Sequence, residues 1–345
     1  MDDLLLCFRA VFPTTIPIWE RVLFGIIMLA VTLISLVLNL ILSAVVFRKN
    51  LVDESVRPHM ISLIAASVIY LLPNCWLLLP TILGSTKLVD PYNVILSTPN
   101  TVGYFMIMFT TATMAVDRFV TFFLPSVHKI LTQTEIVWYF LTTFPCMLSL
   151  IITLHMNVLG CHKRVNPYTL SFTYGCSDCT VYGPLLPIFA FSFSGLNFVV
   201  YSAIFLLILK MRTRVSVVNT PLIKQREVKL VVHFSLICVA QFIGSSCFYF
   251  LPAVTCGHHV SFYLTAIFST LNTMTNPCVM FLFHSKIRRE VRTLFTIARH
   301  STATAATSAT RIFLTTTMAR RDHVESAARH IDVTATVVKR RTKSL

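Results

Sequence analysis

Met114-Ala115-Val116-Asp117-Arg118-Phe119-Val120-Thr121-Phe122-Phe123-Leu124-Pro125 closes an apolar run that begins near residue 98. A long uncharged run ended by an adjacent acid and base suits a helix that crosses a bilayer. At a rise of 1.5 Å per residue, about 20 apolar residues span the ~30 Å hydrocarbon core. Windows near residues 22–47, 59–83, 136–159, 184–209, 229–252 and 261–283 have the same character as 98–123. Apart from residues at the edges, Asp117 and Arg118 are the only acidic or basic side chains in all seven windows. A charge inside a membrane is costly, and one retained there usually has a task.

Working outward, 55% apolar and 12% charged residues with a mean hydropathy of +0.73 exclude an ordinary soluble domain. The excess of 29 Lys and Arg over 14 Asp and Glu would suit a phosphate backbone. Here the basic residues flank the spans and form no basic stripe interleaved with aromatics, so no nucleic-acid partner is expected. Arg48, Lys49, Arg57, Lys129, Lys210, Arg212, Arg214, Lys224 and Arg226 fall on one side of the membrane, with thirteen Lys or Arg after residue 284. Arg9, Arg21, Lys87, Lys163 and Arg164 fall on the other. Because Lys and Arg are retained in the cytoplasm, this bias predicts a multi-pass plasma-membrane protein with its N-terminus outside and its C-terminus inside. The acidic start Met1-Asp2-Asp3 and the interruption at Arg9 predict no cleaved signal.

The expected fold class is an all-α membrane protein, a seven-transmembrane helix bundle with a short amphipathic eighth helix. Residues 1–21 form the extracellular N-terminus and 22–284 the bundle. Over 285–299, Ile287, Val291, Leu294, Phe295 and Ala298 recur at helical spacing between basic residues, which predicts a helix on the inner leaflet in contact with lipid. Residues 300–345, rich in Ser, Thr, Ala and Arg, read as a disordered cytoplasmic tail.

Two motifs give this bundle a family resemblance. Asp117-Arg118-Phe119, with Pro125 beyond it, resembles the D-R-Y…P signature that closes the third helix of rhodopsin-like G-protein-coupled receptors, Phe119 replacing the Tyr. Asn272-Thr273-Met274-Thr275-Asn276-Pro277-Cys278-Val279-Met280, followed by Ile287 and Arg288, resembles that family's N-S-x-x-N-P-x-x-Y and the start of its eighth helix. Asn39 stands where the resemblance expects a first-helix Asn facing the seventh, and Tyr201 resembles the fifth-helix Tyr that approaches the Arg. The compact loops and the run Lys224-Gln225-Arg226-Glu227-Val228-Lys229 look like the nematode serpentine chemoreceptors, a divergent relative.

The resemblance implies a switch for G-protein coupling at Asp117, Arg118, Tyr201, Asn272, Asn276 and Pro277. It also implies an interhelical polar contact at Asn39 and Ser67. The chain departs from the pattern at three places: Ser67 replaces the Asp that helps bind sodium, Met280 replaces the final Tyr, and Asn93 occupies the place of the outer third-helix Cys. Ligand placement in the family brings Asn100, Thr101, Tyr104 and Met108 of the third span toward an outer pocket, with Phe250 and Tyr263 opposite. With no acid in the outer third span and no Lys in the seventh, amines and retinal are disfavoured, leaving an uncharged, partly apolar small molecule.

Of the ten Cys, five lie inside spans and five (Cys7, Cys161, Cys176, Cys179 and Cys256) face the oxidising outside, where bridges persist. Cys161 with Cys176 or Cys179, or Cys7 with Cys256, are the open pairings, and an odd one remains. No metal site, cofactor or enzymatic constellation is expected, since His155 and His233 stand isolated.

These readings predict a G-protein-coupled cell-surface chemoreceptor that senses a small molecule and activates a heterotrimeric G protein. Ser301, Thr302, Thr304, Thr307, Ser308 and Thr310 in the tail are candidate sites for a receptor kinase and then arrestin. The alternative is a ligand-gated channel or a solute carrier with seven spans. Orientation is checked directly: an epitope tag after Leu345 should stain only permeabilised cells and one before Met1 should stain intact cells. The converse pattern would reject this topology together with the receptor reading.

Overall fold

The computed structural model describes residues 2–12, 16–48, 57–124, 126–127, 135–215, 225–255, 259–294 and 296, and each of the seven apolar windows coincides with a helix. A short α1 (Asp2–Val11) precedes α2 (Ile18–Arg48). Then α3 (Arg57–Pro73) runs through a π turn at Asn74–Leu78 into α4 (Leu79–Leu83). They are followed by α5 (Tyr92–Phe123), α6 (Glu135–Val158), α7 (Tyr182–Val215), α8 (Gln225–Val254) and α9 (His259–Phe283). Between α6 and α7 lies an antiparallel hairpin, β1 (Arg164–Asn166) and β2 (Ser171–Thr173), in the register Arg164–Thr173, Val165–Phe172, Asn166–Ser171.

Among the described residues five stretches are long and apolar enough to cross a membrane: Ile18–Phe47, Arg57–Leu83, Tyr92–Phe123, Tyr182–Leu207 and Ser235–Pro252. Helix α6 adds a shorter apolar stretch, Thr143–Val158. The length of α9 suffices, but its Ser, Thr and Asn content keeps it below that composition. Its polarity has a direction. Thr265, Thr270, Thr273 and Asn276 are buried, while Val260, Leu264, Phe268 and Leu282 are exposed. Helix α2 repeats the pattern, with Thr32, Ser35 and Asn39 inside and Val22, Ile26, Leu33, Val37 and Leu40 outside. Apolar outside and polar inside is the inverse of a soluble bundle. It is what a lipid solvent selects, because lipid tails do not drive Leu inward and interhelical polar groups need partners. The chain is thus an all-α protein built for multi-pass insertion.

The packing order is set around α5. Helix α3 lies along it, α6 and α7 also pack on it, α7 packs on α8, α8 on α9, and α9 returns to α2, which leans on α3 and α4. The α3–α5 contact depends on one glycine. A Cβ on Gly103 would sit 2.5 Å from the Tyr70 backbone N and 2.8 Å from the Ala66 carbonyl oxygen. No side chain fits there, and the small residue lets two backbones touch.

Three features differ from the sequence expectation. Helix α5 starts ahead of the apolar window, at Tyr92, because its polar first turns are covered by the hairpin, with Asn93, Ser97 and Asn100 all buried. The residues ahead of the first span contain α1, whose Phe8 is fully buried and whose neighbour Phe12 meets Phe262 edge-on at 5.3 Å. The hairpin itself was not foreseen, although Asn166-Pro167 is a turn signal. The Asn166 side-chain oxygen accepts the Tyr168 N–H at 2.8 Å, closing an Asx turn between the strands.

Two units divide the chain, Met1–Ile287 and Arg288–Leu345. In the first, Ile287 is buried. In the second, residues 288–294 and 296 are helical. Phe295 and Ala298 of the expected amphipathic helix, and the whole tail from Ser301 with its Ser and Thr sites, lie outside the described residues, as do Lys49, Lys129 and Lys224.

Gly103→Ala should destabilise the bundle by about 1–3 kcal/mol through overpacking. The expected readout is a lower melting temperature of the detergent-purified protein and reduced surface expression. An unchanged melting temperature would mean that α3 and α5 do not approach this closely.

Candidate functional site

The N-terminal end of α5 is tied to the hairpin by four side chains. Asp90, just ahead of the helix, and Asn93, Ser97 and Asn100 within it recur at three- and four-residue spacing, which aligns them on one face. Asp90 pairs with Arg164, Oδ2 lying 2.7 Å from Nη2 and 2.9 Å from Nε. Asn93 accepts from the Val165 N–H at 2.9 Å and donates to the Val165 carbonyl at 3.1 Å. Ser97 donates to the Lys163 carbonyl. Asn100 accepts from Lys163 Nζ at 2.6 Å and donates to the Tyr70 carbonyl at 3.1 Å. Asn93, at the place where the family resemblance has a cysteine, thereby fixes the loop to the helix with two hydrogen bonds.

Covalent ties complete the lid. Cys161 bonds Cys179, one of the two partners open to it, and Cys7 bonds Cys176 instead of Cys256, which lies outside the described residues. Helix α1 packs back over the hairpin end of the bundle, bringing Cys7 to the loop. Cys75, Cys146, Cys238, Cys247 and Cys278, all within helical segments, are free.

Beneath the hairpin lie two adjoining cavities, which share Tyr70, Lys163, Tyr174, Phe248 and Ser269. The first continues inward to Tyr104, Gln241, Tyr249 and Asn272, and the second opens along Asn100, Phe172 and Phe262. Burial pushes the Lys163 amine down from its usual 10.5 to about 7, and burial raises the Tyr174 phenol. The Lys163 ammonium also stands 5.5 Å from the Phe172 ring centre and 5.6 Å from that of Tyr174.

Of the expected pocket residues, Tyr104 and Asn100 line this space. Thr101 is buried and meets the Tyr174 hydroxyl. The other three lie elsewhere. Met108 is packed with Phe109, Met156 and Leu186 in a core between α5, α6 and α7. Phe250 is exposed and meets Phe191 at 5.0 Å, and Tyr263 stacks on Phe24 of α2 at 4.5 Å. Successive residues of a helix differ by about 100°, so an offset of one or two positions in α8 exchanges Phe250 for Phe248 and Tyr249. Lys163, Tyr174 and Phe172 escaped sequence reading because they sit on a loop, where no helical count reaches. Gln241 and Tyr70 carried a legible signal as polar groups in apolar helices.

At the opposite end of α5, Asp117 and Arg118 form an ion pair at 3.1 Å, with Arg118 only 7% exposed. The Tyr201 hydroxyl lies close to both, in a setting that also includes Cys238. His59, at the start of α3, is a further buried neighbour of the pair that the sequence did not point to. Pro125 of the signature lies outside the described residues. Asn276 is buried, and among the described residues neither atom of its amide has a hydrogen-bond partner. Pro277 lies within α9 one residue on. Asn272, grouped with the switch by sequence, instead faces the cavity.

Asn39 donates to the Thr273 carbonyl at 3.1 Å, and Ser35 bonds the Thr273 hydroxyl at 2.8 Å, joining α2 to α9. Ser67 makes no such interhelical contact. Its hydroxyl donates to Leu63 of its own helix, and Ser62 instead reaches Thr110 of α5 at 3.1 Å. Between cavity and ion pair, Thr111 of α5 donates to Gln241 of α8 at 2.9 Å and accepts from Asn197 of α7 at 3.3 Å. Gln241 lines the cavity and Asn197 lies one helical turn from Tyr201, so these hydrogen bonds run from the cavity part of the way toward the ion pair. No metal-binding group of His, Cys, Asp and Glu occurs among the described residues.

Compared with models of protein families and with curated proteins, the chain matches none.

Because folding lowers the Lys163 pKa, the unfolded chain keeps its proton to higher pH than the folded one. Stability should therefore rise with pH between about 7 and 10.5 and fall as pH drops back toward 7. Melting temperatures of the purified protein across that window should show a positive slope, which Lys163→Met should flatten. An equal slope in the variant would place the titration elsewhere.

Proposed function

We propose that the chain is a G-protein-coupled cell-surface chemoreceptor in the plasma membrane, with the hairpin-covered cavity outside and the Asp117–Arg118 pair at the cytoplasmic face. The observation that carries the reading is this ion pair, buried beside Tyr201 at the inner end of the same helix whose outer end forms the cavity wall. A switch needs two arrangements of similar free energy. Adjacent opposite charges at a membrane edge provide them, since the strength of the pair depends on local hydration and on competing partners. In the resting arrangement Asp117 holds the guanidinium. In the active one Arg118 turns to the inserted C-terminal helix of a heterotrimeric G protein.

A ligand in the cavity biases the choice only through its differential affinity for the two arrangements. The Gln241–Thr111–Asn197 chain supports such a coupling, because it joins α5, α7 and α8 between the two ends. The inward amide of Asn276 next to Pro277 supplies a point at which α9 can bend. The basic inner loops support the orientation, and the tail supplies hydroxyls for a receptor kinase and arrestin.

Arg118→Ala should abolish or sharply reduce G-protein activation while surface expression stays largely intact. Asp117→Asn should raise basal activity by freeing the arginine. Both are read by G-protein dissociation in cells at matched surface levels. If neither substitution changes basal or ligand-driven activation, the pair marks only a helix boundary and the channel or carrier reading gains.

A further inference from the structure

Lys163 is the cation of the cavity wall, and the structure leaves it without a carboxylate. The acid nearest in the ladder, Asp90, is taken by the next residue, Arg164, through a 2.7 Å ion pair and hydrogen bonds from Nε. Among the described residues no Asp or Glu lines either cavity. The Lys163 ammonium has three protons and one hydrogen bond, the 2.6 Å contact to Asn100 Oδ1, with two ring faces as its other neighbours. Its position is fixed from both directions, by Ser97 on its carbonyl and Asn100 on its amine. A buried cation held in place with donors unspent is costly until an anion arrives, and the same low dielectric then strengthens the pair.

We infer that the ligand of this cavity is a small monocarboxylic acid whose carboxylate takes the Lys163 ammonium as its counter-ion. One fixed cation matches one negative charge, which favours a carboxylate over a phosphate dianion. The Tyr70, Tyr104 and Tyr174 hydroxyls around it can supply further donors, while Phe172, Phe248 and Phe262 offer apolar walls for the body of the acid. This replaces the uncharged ligand expected from the spans alone, which could not count a loop lysine. The inference rests on the proposed receptor only in taking the cavity as the ligand site.

The full chain, purified in detergent without G protein, is tested by thermal shift and by competition among benzoate, 3-phenylpropanoate and octanoate and their primary amides. Acids should stabilise the wild type and the matched amides should not. Lys163→Gln should weaken acid binding at least about thirty-fold, and Lys163→Arg should recover part of it. Should Lys163→Gln fail to fold, Asn100→Asp serves, since it sets an internal carboxylate against the same amine and should abolish acid binding. Stabilisation by amides as strong as by acids, or by neither series, overturns the inference, as does acid binding that survives both substitutions. Acid binding by a chain that activates no G protein in cells would keep the site and remove only the receptor reading.

Discussion

The N-terminal end of α5 bonded to the hairpin is the interaction on which the rest of the molecule depends. Asp90, Asn93, Ser97 and Asn100 would be a poor membrane face if left to lipid, since each exposed polar group in hydrocarbon costs several kcal/mol, roughly. Bonded to Arg164, Val165 and Lys163 they become a docking edge. The consequence extends in both directions. Outward, the hairpin is pulled down until Val165 and Leu170 are buried with Phe24, Leu77, Leu78 and Tyr263. Inward, the Lys163 side chain is delivered into the space between the helices.

The bundle beneath follows the logic of a lipid solvent. With no hydrophobic drive to bring helices together, contact comes from close backbone approach, as at Gly103 on Tyr70, and from polar pairs, as at Asn39 and Ser35 on Thr273. Each of these ties sits on the central helix or closes the ring at α2 and α9. The polar chain through Thr111 adds a link that joins three helices at one hydroxyl, so displacement of α8 at the cavity is felt by α5 and α7 together. One helix, α5, thus carries cavity wall at one end and a buried ion pair at the other.

Much of the candidate site was legible. Asp117 and Arg118 stood out because charge is rare inside spans, and Asn39 because a lone amide in an apolar helix must find a partner. Tyr104 and Asn100 followed from the ligand placement that the family resemblance implies. That placement does not hold for Phe250, which is exposed, or for Tyr263, which is turned to α2. Ser67 was assigned an interhelical contact on alignment alone, but a serine in a helix is equally served by the carbonyl four residues back, and that is the bond it makes.

The sequence by itself determined the apolar helices, their order and the rarity of charge within them. These depend on composition and on the 3.6-residue period, both local properties of the chain. Tertiary structure alone decided which cysteines pair, which face of α8 and α9 looks inward, and above all that the loop lysine Lys163 enters the cavity while its neighbour Arg164 takes Asp90. The Lys163 and Arg164 contacts join residues more than sixty positions apart, and no local pattern carries that pairing, because burial and pairing exist only once the chain has brought the groups together.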